Sequence, residues 1–571
     1  MKLFKQRMSR ETQIKWAWTL LGLVTLIYLG WISYESLLRY TTFTATAFDL
    51  GNMDQALWNT IHGHPFAFTN QGIDYYGPPT RLAVHFEPIL LPLSVLYVFH
   101  GDPRILLVFQ TLAMATGSLP VFLLTRKHIP QWPLAAVAMV VAYLYSPALL
   151  GVNLFDFHAV ALATPLLLYA LLALENNAYF WLIVTCILAS LTKEEVPAVV
   201  AMLGLLAIWK YKKPRLGTLL FVGGIVGSVV AFLTIKHFFP GNQSNNFWYR
   251  YAALGSTPQE AIKNVILHPW ILFKMYFNLN RLYYLANLFR NSGFLPLLAP
   301  EWLLGAIPDL AINLLSTDPL LYSGVYHYNA PIIPFVIVSA IHGLRRAVLI
   351  WQRWRGEEPE VLSDHELVAH PKPLLPSFVV KPGAAFWFRL KSAYTSFSNR
   401  PRVSRVVTRV SQGSRSRWRS FNARMSDLAL GLATSRLQWI IYGWIAVMIG
   451  LNFVFMAPPL DALWAQGTPG PREQHIQQLL DSIPANAPVS AGGNLNPHLT
   501  DRQYVTLFPQ VTYQMGNKTQ GTVQYVIVDM NGVFPEDRIS VVEEVNQLVL
   551  SQQFHVVSRA EGVILLARQS P

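Results

Sequence analysis

The sequence predicts an α-helical polytopic membrane protein that carries a small α/β domain at its C-terminus. Three observations predict it. Of 571 residues, 52% are hydrophobic and only 13% charged, about half the charge a soluble domain usually carries, and mean hydropathy is +0.32. Apolar runs of about 17–22 residues, the length that crosses a hydrocarbon core as a helix, recur along the chain. After the last such run, the pattern changes to short apolar segments and amphipathic stretches.

The first run, Trp16 to Ser33, follows a basic start (Lys2, Lys5, Arg7, Arg10, Lys15) and lacks a small-residue cleavage site. It therefore reads as a retained span rather than a removed signal peptide. Further spans are expected at 104–124, 132–152, 159–175, 178–192, 195–210, 216–235, 280–298, 300–316, 329–349 and 437–457, about eleven in all. Pro296, Pro300 and Pro308 blur the ends of two of them. The basic clusters then alternate to one side: the N-terminus, Arg126-Lys127-His128, Lys210 to Arg215, and Arg345-Arg346. By the positive-inside rule that side is cytoplasmic, and an odd number of spans puts the C-terminal residues outside. The run Phe86 to Phe99 is short and holds Pro88 and Pro92. Counting it as a span would turn the basic clusters outward, so it is expected to lie in the outer interface.

This divides the chain into a transmembrane domain with outer loops (1–350), a basic cytoplasmic linker (351–436), a last transmembrane helix (437–457) and a small extracytoplasmic α/β domain (458–571). From Arg345 to Arg436, seventeen Lys and Arg stand against six Asp and Glu. A loop facing anionic lipid accounts for that excess, and for much of the net charge of +13, without nucleic acid. The one cysteine, Cys186, excludes an intrachain disulfide framework and a zinc-finger pattern. In the tail, 471–483 and 535–551 read as amphipathic helices, and Tyr504–Leu507, Tyr525–Asp529 and Gly562–Leu566 as strands. The polar loop from Ser490 to His498 reads as a strand-to-helix turn, with sugar or phosphate binding as the alternative.

This topology gathers the unusual polar residues on one rim. The first outer loop holds Phe48-Asp49-Leu50-Gly51, Asp54-Gln55 and His85-Phe86-Glu87-Pro88; Asp156-Phe157-His158 follows span three. Lys193-Glu194-Glu195 forms a corner between spans five and six, and Tyr326-His327-Tyr328 precedes span ten. Charges near a bilayer are costly unless paired or used. Each has a plain reading as well. Asp49 is a cap for a helix beginning near Leu50, His85 and Glu87 are solvated interface residues, and Lys193 sits in a self-neutralised turn. The plain readings leave the gathering itself unexplained. Gly51 allows a sharp turn and a close approach of acceptor to Asp49. A divalent metal is an option through Asp49, His85, Glu87 and His158; no other cofactor is called for.

In their order along the chain, these motifs resemble the DUF2079 family of bacterial membrane proteins, over about residues 40–345 and 437–570. The tail stretches Ile483-Pro484, Val489-Ser490-Ala491 and Pro497-His498-Leu499 belong to the same resemblance. That family is in turn similar to GT-C glycosyltransferases that use polyprenol-phosphate sugars, which implies a GT-C-like fold. By resemblance, Asp49 matches the acid of their first outer loop and Lys193 the lysine of their Leu-Thr-Lys turn, here Leu191-Thr192-Lys193. Where GT-C enzymes commonly carry Asp-Glu, this chain has Asp49-Leu50.

The function implied is transfer of a sugar from a polyprenyl-phosphate donor to an envelope acceptor at the outer face of a bacterial plasma membrane. Asp49, His85 and Glu87 are the catalytic candidates, with Asp49 as base in an apolar wall that raises its pKa. Asp54, Gln55, Arg81, Arg104, Asp156, His158, Lys193, Glu194, Glu195, His327 and Tyr328 are the substrate-binding candidates, and Arg250 is a further outer cation for the phosphate. Two other classes stand beside this one: a transporter or lipid flippase, which Asp309 within the ninth span favours, and a non-catalytic envelope scaffold.

Overall fold

The computed structural model describes residues 9–70, 80–239, 247–354, 437–451, 463–464, 467–515 and 519–569. Residues 355–436, nearly all of the expected linker, and 452–457 of the last expected span lie outside the described residues.

Ser9 caps the first helix, Arg10–Thr41, by accepting from Thr12 N. Its buried residues Ala17, Leu21, Tyr28 and Ile32 form one stripe, and Trp16, Leu23, Leu26 and Ile27 are exposed on the others. Three more helices are long and apolar enough to cross a membrane: Arg104–His128, Pro214–Phe238 and Ile333–Trp354. The pair Pro133–Leu144 and Pro147–Leu154, bent by 48°, adds a fifth when counted as one span. The bend falls where Pro147 ends the first helix and Ser146 caps the second. Shorter apolar helices occupy other expected spans, Ala159–Glu175, Tyr179–Ser190, Val196–Trp209 and Leu437–Leu451. Ile333–Trp354 is the buried centre of this bundle, with 78% of its apolar window covered, against 17% for the peripheral Pro214–Phe238.

Close helix contacts use glycine. Val196–Trp209 packs on Pro214–Phe238 through Gly204, Gly217 and Gly224, where an added Cβ would meet opposing backbone at 2.5–2.6 Å.

Two expected spans are not continuous helices. Residues 280–298 form Leu279–Arg290 and then a 3-10 turn, Leu295–Leu298; 300–316 form a second 3-10 turn, Pro300–Ala306, and then Ile307–Leu315. Gly293 and Phe294 take left-handed φ of 67° and 58° between them, and the three prolines remove the donors a continuing helix needs. Phe86 to Phe99 is likewise broken, into Leu90–Leu93 and Val95–Phe99, with Leu91, Val95, Val98 and Phe99 exposed.

The tail contains strands β1 (Val489–Ala491), β2 (Val505–Leu507), β3 (Thr512–Gln514), β4 (Gln520–Thr522), β5 (Tyr525–Asp529), β6 (Phe554–Ala560) and β7 (Val563–Arg568). The main sheet has the order β2-β1-β5-β7-β6: β2, β1 and β5 are parallel, and β7 and β6 antiparallel to their neighbours; β3 and β4 form a separate hairpin. Alternation splits the strands between two cores. Ile527, Val563 and Leu565 pack with Ile476 and Leu480 of helix Pro471–Asp481, while Val526, Val528, Ile564 and Leu566 pack with Val545 of helix Arg538–Leu550.

The tail domain sits on the first loop of the bundle. Phe43 belongs to its first core, and His498 stacks on Tyr40 with ring centroids 4.0 Å apart. Ala47 N donates to Gly493 O at 2.9 Å. Gln55 Nε2 donates to Gln503 O at 3.1 Å, and Asn70 Nδ2 to Asn496 Oδ1 at 3.0 Å.

Candidate functional site

Asp49 lies in a π-helical turn, Ala47–Gly51, that runs directly into helix Asn52–Ile61. Its carboxylate is not used as a backbone cap. Thr46 Oγ1 donates to Oδ2 at 2.7 Å, and His158 Nε2 lies 2.8 Å from Oδ1. Asp156 completes the turn from the other side, accepting from Thr46 N at 2.8 Å and Thr46 Oγ1 at 3.1 Å. Asp156 itself is held in left-handed backbone, φ 46°, which brings Asp156 and His158 to the same threonine-containing turn. Gly51 has ordinary helical φ of −62°, so it does not make a sharp turn. What approaches it closely is Asn496 of the tail, whose Oδ1 would be 2.8 Å from an added Cβ.

The two acids titrate differently. Burial would raise Asp49, but the charge and hydrogen bond of His158 and the bond from Thr46 hold it below its ordinary value. The expected apolar elevation of Asp49 is therefore not found. Asp156 is the raised one: burial outweighs the attraction of Arg39 and lifts it to about 6.

A ladder of rings leads away from this pair. His158 stacks on His327 at 3.9 Å, His327 on Tyr328 at 4.3 Å, and Phe155 packs edge-on to Tyr326 at 4.6 Å. Burial, with His158 next, depresses His327 well below its ordinary value, so its imidazole is neutral. The Tyr328 ring ends the ladder between two cations, with Lys193 Nζ at 5.6 Å and Arg250 Cζ at 5.9 Å from its centroid.

Lys193 stands in the tight corner between Tyr179–Ser190 and Val196–Trp209, 2.9 Å from Glu195 Oε1 and buried. Burial disfavours its charge, but Glu195 and Glu194 outweigh that and keep it protonated. Glu194 turns the other way, accepting from His85 Nδ1 at 2.8 Å and from Phe86 N at 3.1 Å. Burial alone would raise Glu194, yet His85 and Lys193 bring it down to about 2. Glu195 and Lys193 are the charged neighbours of Asp309, whose Oδ2 is buried with no hydrogen-bond partner among the described residues.

The site candidates thus separate into two groups. Asp49, Asp156, His158, Lys193, Glu194, Glu195, His85, His327 and Tyr328 share one continuous cluster, and Arg250 joins it while pairing with Asp318 at 3.1 Å. Arg81 and Glu87 pair with each other, buried, at 2.7 Å. Asp54 and Gln55 face the tail domain: Asp54 accepts from Tyr97 and Thr500, and Gln55 from Thr69 N. Arg104 pairs with Asp102. The set Asp49, His85, Glu87 and His158 is not brought together around one point: Asp49 and His158 pair with each other, His85 with Glu194 and Glu87 with Arg81. Sequence reasoning missed Thr46 and Arg39, which are local supports with no motif of their own. It marked Asp309 only as an acid in an apolar run.

Behind the corner lies an apolar cavity of about 460 Å³ between the helices Tyr179–Ser190, Val196–Trp209 and Pro214–Phe238, lined by residues including Phe86, Ile187, Leu191, Val200, Leu220 and Val230. Phe86 and Leu191 place one end of it beside His85, Glu194 and Lys193.

Among solved structures, the chain is similar to ArnT from Cupriavidus metallidurans bound to undecaprenyl phosphate, at 13% identity and a TM-score of 0.49, covering 97% of this chain and 98% of that one. It is also similar to the Archaeoglobus fulgidus oligosaccharyltransferase in the apo form, at 12% identity and a TM-score of 0.41, covering 100% of this chain and 75% of that one. No curated protein matches it. A family model described as a predicted membrane protein, DUF2079, matches residues 39–357 and 432–565, and the chain belongs to that family.

Proposed function

We propose that this protein is a GT-C-like glycosyltransferase that moves a sugar from a polyprenyl-phosphate donor to a hydroxyl acceptor at the outer face of the plasma membrane. One observation carries the reading. An Asp–His pair and a buried, charged lysine share a single ring-lined cluster at one end of an apolar cavity. A lipid-linked sugar phosphate asks for those three provisions: a base for the acceptor, a cation for the phosphate and an apolar path for the chain.

On this reading each residue has a role. Ionised Asp49 accepts from His158 Nε2–H, which fixes the tautomer and leaves Nδ1 as the basic nitrogen. Nδ1 is buried and, among the described residues, has no hydrogen-bond partner, so the acceptor hydroxyl must enter against it as the site opens. In the transfer, the acceptor oxygen bonds to the anomeric carbon as the bond from that carbon to the phosphate oxygen breaks. The acceptor proton passes to His158 Nδ1, and Asp49 stabilises the imidazolium. The electron pair leaves with the polyprenyl phosphate, whose charge Lys193 and Arg250 meet. Phe86 and Leu191 stand where the first isoprene units enter the cavity.

Asp309, the feature that favoured a transporter, interacts electrostatically with Glu195 and Lys193 and so belongs to the same charged cluster. The test is release of free polyprenyl phosphate from polyprenyl-phosphate sugars by the purified full chain in nanodiscs, with wild type, Asp49→Asn and Lys193→Met compared. Donor-dependent release by wild type that both variants lose supports the reading. Equal release by all three, or flipping of intact donor between leaflets without release, overturns it.

A further inference from the structure

A second buried polar cluster lies about 20–25 Å from the first, at the far ends of the same helices. Glu175 comes 17 residues after His158 and His342 comes 15 after His327, and helices rise about 1.5 Å per residue. His128 ends helix Ser118–His128, Glu175 ends helix Ala163–Glu175, and His342 lies within Ile333–Trp354. All three are at least 94% buried, at 4%, 6% and 4% exposure.

Their ligand atoms converge to within 4.8 Å of one another, the one such group of three among the described residues. His128 Nε2 lies 2.9 Å from Glu175 Oε1, and His342 Nε2 lies 3.8 Å from the same oxygen. Bonds of about 2.0–2.2 Å from a tetrahedral ion put its ligand atoms roughly 3.4 Å apart, and the two separations bracket that value. Tyr211 OH donates to the same Oε1 at 3.1 Å.

Both rings are held in place. Trp302 stacks on His342 at 3.7 Å with 8° between planes, and the two imidazoles cross at 4.2 Å and 58°. Lys127 Nζ contacts the other carboxylate oxygen, Oε2, at 3.3 Å and donates to Glu175 O at 2.7 Å, fixing the carboxylate from behind.

Two helix C-termini, with their partial negative ends, meet at this point, and a carboxylate at a helix C-terminus has the wrong sign for the helix dipole. Lys127 offsets one negative charge, and the last carbonyls of helix Ala163–Glu175 are already hydrogen-bonded, to Asn176, Ala178, Asn177 and Lys127.

We propose that His128, Glu175 and His342 bind one divalent first-row transition-metal ion, of the zinc, cobalt, manganese or iron class, as a staple joining three helices. The donor set of two imidazoles and one carboxylate selects that class over magnesium or calcium. The ion is structural and separate from sugar transfer.

The test uses the full chain, purified in detergent with a tag that contains no histidine. Metal content is measured by mass spectrometry, and the chelated protein is titrated with Co2+ while its ligand-field absorption is followed. One equivalent of ion is expected, with a Tm that falls on chelation and recovers with Zn2+. Glu175→Gln and His342→Gln should each lower binding at least tenfold, and Asp49→Asn should leave it unchanged. Wild-type protein that takes up no ion from Zn2+, Co2+, Mn2+ or Fe2+ would make the cluster a buried ion pair of Lys127 and Glu175 only. An ion retained in both variants would place it elsewhere. Either result overturns the assignment, and neither bears on the transfer reaction.

Discussion

Asp49 and His158 lie 109 residues apart in the chain and 2.8 Å apart in the fold. The contact sets the imidazole against a carboxylate that His158 and Thr46 hold below its ordinary pKa. Asp49→Asn keeps the size and an acceptor oxygen but loses the charge that stabilises an imidazolium. We expect it to lower the transfer rate by about 10²–10⁴ while donor binding and Tm stay near wild type. A variant as active as wild type would leave Asp49 a structural partner of Thr46 and His158.

Lys193 faces two demands, since Glu195 already holds it at 2.9 Å. Loss of a charge-assisted contact to phosphate in a dry site is worth about 1.5–3 kcal/mol, or roughly ten- to a hundredfold in affinity. Lys193→Met should weaken donor binding by that amount, and Lys193→Arg should restore part of it. Because Lys193→Met also leaves the half-buried Glu195 without its partner, the double variant with Glu195→Gln is the control for stability. Unchanged donor affinity in a folded Lys193→Met protein assigns the lysine to its glutamates alone.

What could be read from the sequence followed from what is local. Apolar run length marked Trp16 to Ser33 because a span is contiguous, and a continuous β-branched run marked Tyr525–Asp529 because both faces of that strand are covered. The break between Arg290 and Ile307 could not be read from hydropathy, which is blind to the left-handed φ of Gly293 and Phe294. The rim residues were singled out as charges in apolar context, but their partners were not. His85 meets Glu194 across 109 residues, and adjacent Glu87 turns instead to Arg81. Side-by-side candidates thus parted company, because pairing is decided by tertiary packing. The tail loop from Ser490 to His498 looked like a turn, and what it docks against, the Asp49 turn, lay more than 400 residues away.

The charge alternation of the loops has a direct readout. In a Cys186→Ala background, which removes the one buried thiol, Ser551→Cys should react with a membrane-impermeant thiol reagent in intact cells and Ser414→Cys should not. Ser551 is exposed at the end of helix Arg538–Leu550, so access on its side of the membrane is assured. Labelling at 414 alone would invert the orientation and place the Asp49 cluster inside.

Asp156 makes a statement about pH. Its carboxyl is raised from 3.8 to about 6, chiefly by burial. A carboxyl with a raised folded pKa binds its proton more tightly when folded. The stabilisation is complete below about pH 4 and is lost as pH rises through about 6. Two units correspond to roughly 3 kcal/mol. Asp156→Asn removes this dependence, so the Tm of the variant relative to wild type should rise between pH 4 and pH 7.5. A difference that is flat over that interval means Arg39 and Thr46 neutralise Asp156 fully.

Gly51 links the tail domain to the chemistry. Its φ of −62° and ψ of −42° are open to any residue, so Gly51→Ala introduces no backbone strain, and its effect is steric alone. The new Cβ would stand 2.8 Å from Asn496 Oδ1 and 3.1 Å from Asn70 Nδ2. Asn496 is not free to yield: it is buried, it accepts from Asn70 at 3.0 Å, and it donates to Thr506 O at 3.2 Å. The strain falls instead on the turn, which is tied to the same tail loop by the bond from Ala47 N to Gly493 O and which carries Asp49 two residues earlier. Displacing the carboxylate by a fraction of an ångström lengthens its bond to His158 and turns the imidazole away from the acceptor. Gly51→Ala should therefore lower the transfer rate by about ten- to a hundredfold while donor affinity, set at Lys193, holds. Asn496→Ala in the same chain removes the shorter contact and releases Asn70 from its bond to Asn496, so the double variant should recover part of the rate. Failure of the second change to restore activity, with both proteins folded, would separate the tail domain from the positioning of Asp49.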